Sequence, residues 1–161
     1  MFSFLKKKEA EKNLAAFCNG KVKPVEEVKD QIFSSKMLGE GIAIEPTEGM
    51  LYAPAAGEVT VVMDGSFHAV GLKLPGGMEL LLHIGLDTVE LNGKGFTPYV
   101  KQGDKVNKGD RLIGFDRDII KQGGYSDDVI LVITNSGNYP DLKMITGIQA
   151  EAGKTVIAEW L

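Results

Sequence analysis

The predicted fold centres on the stretch SFHAVGLKLPGGMELLLHIG, residues 66–85. Two runs rich in apolar residues, Phe67–Leu74 and Glu79–Ile84, flank the turn sequence Pro75-Gly76-Gly77-Met78. Because adjacent glycines accept the positive φ angles of a tight turn, this pattern predicts an antiparallel hairpin with Gly76-Gly77 at its centre. Such a two-residue turn pairs Leu74 with Glu79 and His68 with Gly85.

Short apolar runs separated by Gly, Asn, Asp and Pro continue on both sides of this hairpin. They predict six further strands, at Gly41–Ile44, Met50–Ala53, Glu58–Met63, Asp110–Phe115, Val129–Thr134 and Lys154–Glu159. Helical turns are predicted only after Pro24 and at Arg117–Gln122. Many short strands with turn residues between them indicate an all-β fold, an antiparallel β-sandwich or barrel, over residues 18–161.

Residues 1–17 differ from the rest in composition. Three lysines, Lys6 to Lys8, follow Phe2, Phe4 and Leu5, and good helix formers occupy residues 9–17. Because short isolated helices are marginal in water, the pattern predicts a flexible or weakly helical N-terminal arm. The alternative is a small basic and aromatic segment that contacts a membrane surface weakly.

Length and composition exclude several classes of protein. A chain of 161 residues is enough for one domain with a sizeable core. The single Cys18 cannot form an intramolecular disulfide. With 22 acidic against 18 basic side chains, the net charge of −4 argues against a nucleic-acid partner. No apolar run reaches the roughly 20 residues of a membrane-spanning helix.

The chain has only two histidines, His68 and His83, and the predicted pairing places them diagonally on one face of the hairpin. Diagonal neighbours lie about 7–8 Å apart, whereas an odd-length loop would put them on opposite faces. Ser66 shares the face of His68 and offers a hydroxyl to orient its ring. Two imidazoles suit either a metal site completed by further ligands or nucleophilic attack on phosphorus.

The segment around His83, GMELLLHIGLDTV at residues 77–89, resembles the phosphorylation-site signature of the glucose-type enzyme IIA of the bacterial sugar phosphotransferase system. Further matching blocks are ELNGKGF at 90–96, KMLGEGIAI at 36–44 and GDKV at 103–106. The resemblance covers about residues 18 to 160. It implies a barrel-sandwich hybrid fold (a duplicated hybrid motif) and a cytoplasmic phosphotransferase.

The resemblance also implies separate roles for the two histidines. His83 is expected to accept a phosphoryl group from phospho-HPr and to pass it to a cysteine of a IIB domain of a sugar permease. His68 is expected to support the phosphoryl group and to be needed for onward transfer. Ser66 stands where the family usually carries Thr, which keeps the hydroxyl. No cofactor is expected, because the phosphoryl donor is itself a phosphohistidine.

Further positions match the family's partner-binding surface. They comprise two acidic and four apolar residues: Asp30, Asp87, Phe33, Leu38, Leu81 and Val89. An apolar rim excludes water and flanking carboxylates steer a basic protein, so this surface fits HPr. Some family members also regulate metabolic enzymes or transporters by binding them. No intrinsic metal is expected, although His68 and His83 could contribute to a shared metal site.

Two other classes resemble parts of the chain. Residues 53–59 and 100–110 resemble the hairpins of biotinyl and lipoyl carrier domains, but no Met-Lys-Met stands between them. A β-sandwich zinc peptidase would need a second histidine two positions after His83, where this chain has Gly85. The start at Met1 and the end after the last predicted strand favour a stand-alone protein over a fragment of a fused permease.

Overall fold

The computed structural model describes residues 11–161 of the chain. Within these residues the strands are β1 (Asn13–Ala15), β2 (Gly20–Pro24), β3 (Glu40–Pro46), β4 (Met50–Tyr52), β5 (Gly57–Val62), β6 (Ala69–Lys73), β7 (Glu79–Ile84), β8 (Phe96–Pro98), β9 (Lys105–Val106), β10 (Arg111–Phe115), β11 (Val129–Ile133), β12 (Lys143–Met144), β13 (Gln149–Ala150) and β14 (Val156–Glu159). The α-helices are α1 (Gln31–Ser34) and α2 (Arg117–Gln122), and short 3-10 turns occupy Val25–Glu27, Thr88–Leu91 and Ser136–Asn138. The predicted all-β class with short helical turns is confirmed.

The strands form one large antiparallel sheet and two small ones. The large sheet has the strand order β13-β2-β3-β11-β7-β6-β5-β9, and the small sheets have the orders β1-β14-β12 and β4-β10-β8. Side chains from all three sheets, such as Leu14, Leu82 and Ile113, share one buried apolar cluster. The fold is therefore a sandwich whose main core lies on the inner face of the large sheet.

Strand β7 separates two apolar clusters. Its side chains alternate, so Leu80, Leu82 and Ile84 are buried in the main core while Leu81 and His83 lie on the outer face. On that face a smaller apolar cluster covers part of the sheet, built from Val25, Val28, Phe33, Ala43, Leu86, Ile130 and Val132. The segment between β2 and β3, which contains α1, supplies three of these residues. The outer face is thus only partly covered, and His83 lies at the edge of the covered part.

All eight predicted strands are present, and the limits of β7 and α2 match the prediction. The predictions missed α1 and several strands of two to five residues. Such short strands contain too few residues to show an alternating pattern. Helix α1 is only one turn long and depends on Asp30, whose side chain accepts a hydrogen bond of 2.9 Å from the Ile32 N–H. No helix among residues 11–161 has the length and apolar character that crossing a bilayer requires.

The predicted N-terminal arm extends into the described part of the chain. Residues 1–10 lie outside the described residues, but Asn13–Ala15 form β1, which pairs with β14. Leu14 and Phe17 are fully buried in the main core. The boundary expected after residue 17 therefore differs from the structure, which places residues 13–17 in the sandwich. Burial of these apolar side chains outweighs the weak helical preference of the segment.

The register predicted for the β6–β7 hairpin is wrong by one residue. Lys73 pairs with Glu79 and Ala69 pairs with His83. The Leu74 N–H donates a hydrogen bond of 2.8 Å to the Met78 carbonyl, so three residues, not two, form the tip of the loop. Both tip glycines have positive φ, as expected, but Pro75 belongs to the tip as well. The odd loop length removes the predicted diagonal pairing of the histidines.

Candidate functional site

His83 lies in the middle of the large sheet, near the end of β7. Its neighbours across the two strands are Ile130 of β11 and Ala69 of β6. The Phe33 ring, from α1, packs against the imidazole with a centroid distance of 4.9 Å. These apolar neighbours leave His83 half-buried on the outer face.

A hydrogen bond determines which nitrogen of His83 carries the proton. Nδ1 lies 2.8 Å from the carbonyl oxygen of Gly85, and a carbonyl can only accept. Nδ1 therefore carries the hydrogen, and Nε2 of the neutral ring keeps a free electron pair. The backbone of Gly85 makes this contact because its φ of +77° turns the chain sharply after β7. Thr88 supports the same turn by donating its hydroxyl hydrogen to the Ile84 carbonyl.

His68 lies beside His83 despite the odd hairpin loop. Their ring centroids are 4.7 Å apart, and the rings meet edge to face at 87°. His68 precedes β6 and follows Phe67, whose φ of +53° is left-handed, so strand alternation does not govern its side chain. The two histidines therefore lie together because the regular strand conformation is interrupted at Phe67. Counting residues along the hairpin, as the prediction did, cannot reveal such an interruption.

Ser66 is the hydrogen-bond partner of His68. Its Oγ lies 2.7 Å from His68 Nδ1, and both residues are buried. The structure thus brings together the three residues predicted to take part in the chemistry, Ser66, His68 and His83. A hydroxyl can donate to Nδ1 or accept from it, so this contact allows either neutral tautomer of His68.

Both imidazoles are held in the neutral form. Burial lowers the pKa of His83 from its ordinary 6.5 to about 4, and a charge on His68 acts in the same direction. The Gly85 carbonyl and the Asp30 carboxylate oppose these effects by raising the pKa. Burial also lowers the pKa of His68. At neutral pH His83 therefore presents an uncharged nucleophilic nitrogen.

Five of the six predicted partner-binding residues fall into two groups, and the sixth, Asp30, is half-buried at the start of α1. Phe33 and Leu81 belong to the small apolar cluster next to His83. Leu38, Asp87 and Val89 are exposed, on the segments that follow α1 and β7.

Other exposed apolar side chains on this face were not predicted. Met63 and Val61, which pair with Ala69 and Gly71 of β6, share the outer face with His83 and are 42% and 40% exposed. Ile32 and Met37 are exposed on and beside α1. The sequence signal for β5 was present, because Val61 and Met63 alternate, but only the register shows which face they occupy.

Among residues 11–161, no group of three or more His, Cys, Asp or Glu side chains is arranged to hold a metal ion. The histidine pair by itself supplies two ligands, fewer than a structural zinc site uses. An antiparallel β-sandwich that presents two neutral imidazoles beside an apolar cluster defines a protein suited to nucleophilic chemistry on histidine.

Comparison with known proteins identifies the family. The family model described as phosphoenolpyruvate-dependent sugar phosphotransferase system, EIIA 1, matches residues 12–139 of this chain. The PTS system glucose-specific EIIA component of Halalkalibacterium halodurans is 44% identical over 137 residues, which cover 85% of this chain and 79% of that protein. The glucose permease IIA from Mycoplasma capricolum has a similar structure, with a TM-score of 0.80 at 34% identity, covering 94% of this chain and 96% of that one.

A longer protein of Halalkalibacterium halodurans contains a similar domain. Its PTS system beta-glucoside-specific EIIBCA component is 47% identical over 139 residues, covering 86% of this chain but only 22% of that protein. The chain belongs to the EIIA 1 family of the sugar phosphotransferase system. It is a phosphocarrier of that system, a phosphotransferase that moves phosphoryl groups between proteins. Membership of the family implies interaction with HPr and with a IIB domain.

Proposed function

We propose that His83 is the residue that carries the phosphoryl group. It takes the group from phospho-HPr and gives it to a cysteine of a IIB domain during sugar uptake in the cytoplasm. The observation that supports this role best is the 2.8 Å contact between His83 Nδ1 and the Gly85 carbonyl. Because that contact leaves Nε2 with its electron pair, the nucleophilic atom is defined before the donor arrives.

The transfer to His83 is a substitution at phosphorus. The electron pair of Nε2 forms the new N–P bond, while the donor imidazole of phospho-HPr leaves with the electron pair of the old N–P bond. The His83 ring then carries phosphorus on Nε2 and hydrogen on Nδ1, so it becomes positively charged. The Gly85 carbonyl stabilises that charge through the Nδ1 hydrogen.

Onward transfer reverses the electron flow. A cysteine thiolate attacks phosphorus, and the Nε2–P bond breaks with its electron pair returning to the His83 ring. The ring becomes neutral again, the state that burial favours, since burial lowers the pKa of His83 to about 4. The same burial that keeps His83 nucleophilic therefore makes it a good leaving group.

His68 supports the phosphoryl group in this scheme. When the Ser66 hydroxyl donates to His68 Nδ1 across their 2.7 Å contact, Nε2 of His68 carries the hydrogen. That hydrogen can be donated to a phosphoryl oxygen on His83, because the ring centroids are only 4.7 Å apart. His68 thus stabilises the negative charge on the phosphoryl oxygens during the second step.

The proposed partner-binding surface surrounds the two histidines. Its apolar part consists of Phe33, Leu38, Leu81 and Val89, and its acidic residues are Asp30 and Asp87. The apolar part supports docking because it excludes water from the reacting phosphoryl group. The two carboxylates support it by attracting a basic partner such as HPr.

The test is phosphoryl transfer from radiolabelled phosphoenolpyruvate through enzyme I and HPr to the purified chain. We expect His83→Ala to take up no label, and His68→Ala to take up label on His83 but fail to pass it to a IIB domain. Wild-type chain assayed in parallel controls for the activity of enzyme I, HPr and the IIB domain. Efficient labelling of folded His83→Ala would overturn the proposal.

A further inference from the structure

The segment Ser126–Asp128, which we call the strap, lies against the turn that follows His83. The Gly85 N–H donates a hydrogen bond of 2.7 Å to the Asp128 carbonyl, and the Leu86 N–H donates one of 3.1 Å to the Ser126 carbonyl. The strap therefore binds the N–H groups of Gly85 and Leu86, the two peptide groups that flank the Gly85 α-carbon. The carbonyl oxygen of Gly85 accepts the hydrogen bond from His83 Nδ1. Nothing in the family resemblance assigns a role to this segment.

Two ion pairs, one from strand β2 and one from helix α2, hold the strap. Lys23 of β2 places Nζ 2.7 Å from the Asp128 carboxylate, and both side chains are well buried, at 13% and 14% exposure. Arg117 of α2 donates from Nε to the Asp127 carboxylate at 2.8 Å. Pairs with so little solvent contact interact more strongly than exposed pairs such as Lys154–Glu151, whose side chains are 76% and 61% exposed.

The Lys23 pair has further support. Lys23 also lies 3.1 Å from the Glu45 carboxylate. Burial by itself would lower the pKa of Lys23, but its hydrogen bonds to Asp128 and Glu45 reverse this and raise the pKa. Lys23 therefore stays charged at neutral pH.

We propose that the strap and its two ion pairs form a positioning device that selects the nucleophilic tautomer of His83. Lys23 and Arg117 hold the carboxylates of Asp128 and Asp127, the strap backbone holds the Gly85 peptide, and the Gly85 carbonyl holds the hydrogen on Nδ1. A small displacement of Gly85 weakens the last hydrogen bond, and Nε2 then carries the hydrogen for part of the time. This inference rests on the proposed role of His83.

The experiment measures the tautomer of His83 directly. In ¹⁵N NMR spectra of the full chain at neutral pH, we expect wild-type protein to show hydrogen on Nδ1 of His83. Lys23→Met, Asp127→Asn and Asp128→Asn should each show a mixture of the two tautomers. Their rates of labelling by phospho-HPr should fall about tenfold, which is within the range that displacement of a reacting group by less than 1 Å produces.

Two matched variants separate positioning from general stability. Lys23→Arg keeps the positive charge and should restore both the wild-type tautomer and the rate. Asn135→Ala removes hydrogen bonds to Gly77 and Glu79 at the other end of β7, so it lowers stability without touching the strap. It should leave the His83 spectrum and the labelling rate unchanged.

The experiments distinguish a failure of the strap proposal from a failure of the proposed role of His83. Folded Lys23→Met and Asp128→Asn that keep the wild-type tautomer and rate would overturn the role of the strap while the role of His83 stands. If one of them fails to fold, the other and Asp127→Asn decide the question by the same two readouts. Labelling of His83→Ala would instead overturn the proposed function itself.

Discussion

The two ends of β7 are both glycine turns, yet they differ in how tightly they are enclosed. At the hairpin tip, Gly76 and Gly77 have φ of +94° and +103°, and a Cβ on either would have no non-neighbouring heavy atom within 4 Å. At the other end, Gly85 has φ of +77°, and a Cβ there would lie 2.8 Å from the Ser126 carbonyl oxygen and closer still to Thr88 Cγ2. The first turn reverses the chain, and the second also orients a reactive nitrogen.

The supports of the two turns differ in the same way. At the tip, one backbone hydrogen bond from the Leu74 N–H to the Met78 carbonyl closes the turn, and the Asn135 side chain supports it by donating to the Gly77 carbonyl and accepting from the Glu79 N–H. At the Gly85 end, the backbone of the strap provides the support, and ion pairs hold the strap in turn. The hairpin tip, which only reverses the chain, is therefore loosely enclosed, whereas the Gly85 turn, which orients His83, depends on the strap and on the ion pairs that hold the strap.

The largest expected difference between the two ends of β7 is the loss of stability when a glycine of each turn is replaced by alanine. Gly85→Ala combines left-handed φ with overlap against Ser126 and Thr88, so we expect a loss of about 3 kcal/mol or more in the free energy of unfolding. Gly76→Ala carries only the conformational cost, about 1–2 kcal/mol. Urea unfolding of both variants measures the difference, and equal losses would contradict the comparison.

The next effect is a dependence of stability on pH that originates at the Gly85 end. The pKa of His83 is about 4 in the folded chain and near 6.5 when unfolded. The unfolded chain therefore binds a proton first as pH falls, and stability drops between pH 6.5 and about 4. The full contribution is about 3 kcal/mol.

His83→Asn removes this titration and serves as the test. We expect urea unfolding between pH 7 and pH 4 to show a smaller loss of stability in the variant than in the wild type. The lowered pKa of His68 contributes in the same direction in both proteins, so only the difference between them reports on His83. Parallel curves for the two proteins would show that the fold does not hold His83 neutral.

Much of this comparison could be predicted from the sequence, but not all of it. The apolar-rich runs Phe67–Leu74 and Glu79–Ile84 and the adjacent glycines between them were enough to locate the hairpin, and the motif around His83 located the site. The loop length was not predictable, because Pro75-Gly76-Gly77 fits both two-residue and three-residue turns. The left-handed Phe67 could not be predicted either, since bulky aromatic residues rarely adopt positive φ.

The strap was not predictable for a different reason. Lys23 and Asp128 are far apart in the chain, and their side chains meet only because β2, β3 and β11 are neighbours in the sheet. Lysine and aspartate are mostly exposed in proteins, so neither carries a local signal of a buried pair. The same holds for Arg117, which the prediction placed in a helical turn without a partner.

A smaller effect is expected when the support of the hairpin tip is removed. Asn135→Ala loses two hydrogen bonds, and we expect the free energy of unfolding to fall by about 1–2 kcal/mol. Phosphoryl transfer at 25 °C should be unchanged, because the variant remains folded and the contacts of Gly85 are intact. Urea unfolding and the labelling assay give the two values. A slower labelling rate in folded Asn135→Ala would show that the two ends of β7 are coupled.

The smallest effect concerns the hydroxyl beside His68. Ser66→Thr keeps the oxygen but adds a methyl group at a buried position, so we expect unchanged transfer to the IIB domain and a loss of about 1 kcal/mol in the free energy of unfolding. Ser66→Ala leaves His68 Nδ1 without its partner and should slow the second transfer while His83 is still labelled normally. Single-turnover assays separate the two steps. Equal second-step rates for both variants would remove Ser66 from the mechanism.

The central claim is that Nε2 of His83 is the atom that accepts phosphorus. Two-dimensional ¹H–³¹P NMR of the phosphorylated chain tests it, because phosphorus couples to different ring hydrogens when it is bound to Nε2 or to Nδ1. We predict one phosphorus signal, coupled through Nε2 to the ring hydrogens of His83, with hydrogen retained on Nδ1. Phosphorus on Nδ1 of His83, or on either nitrogen of His68, would contradict the account.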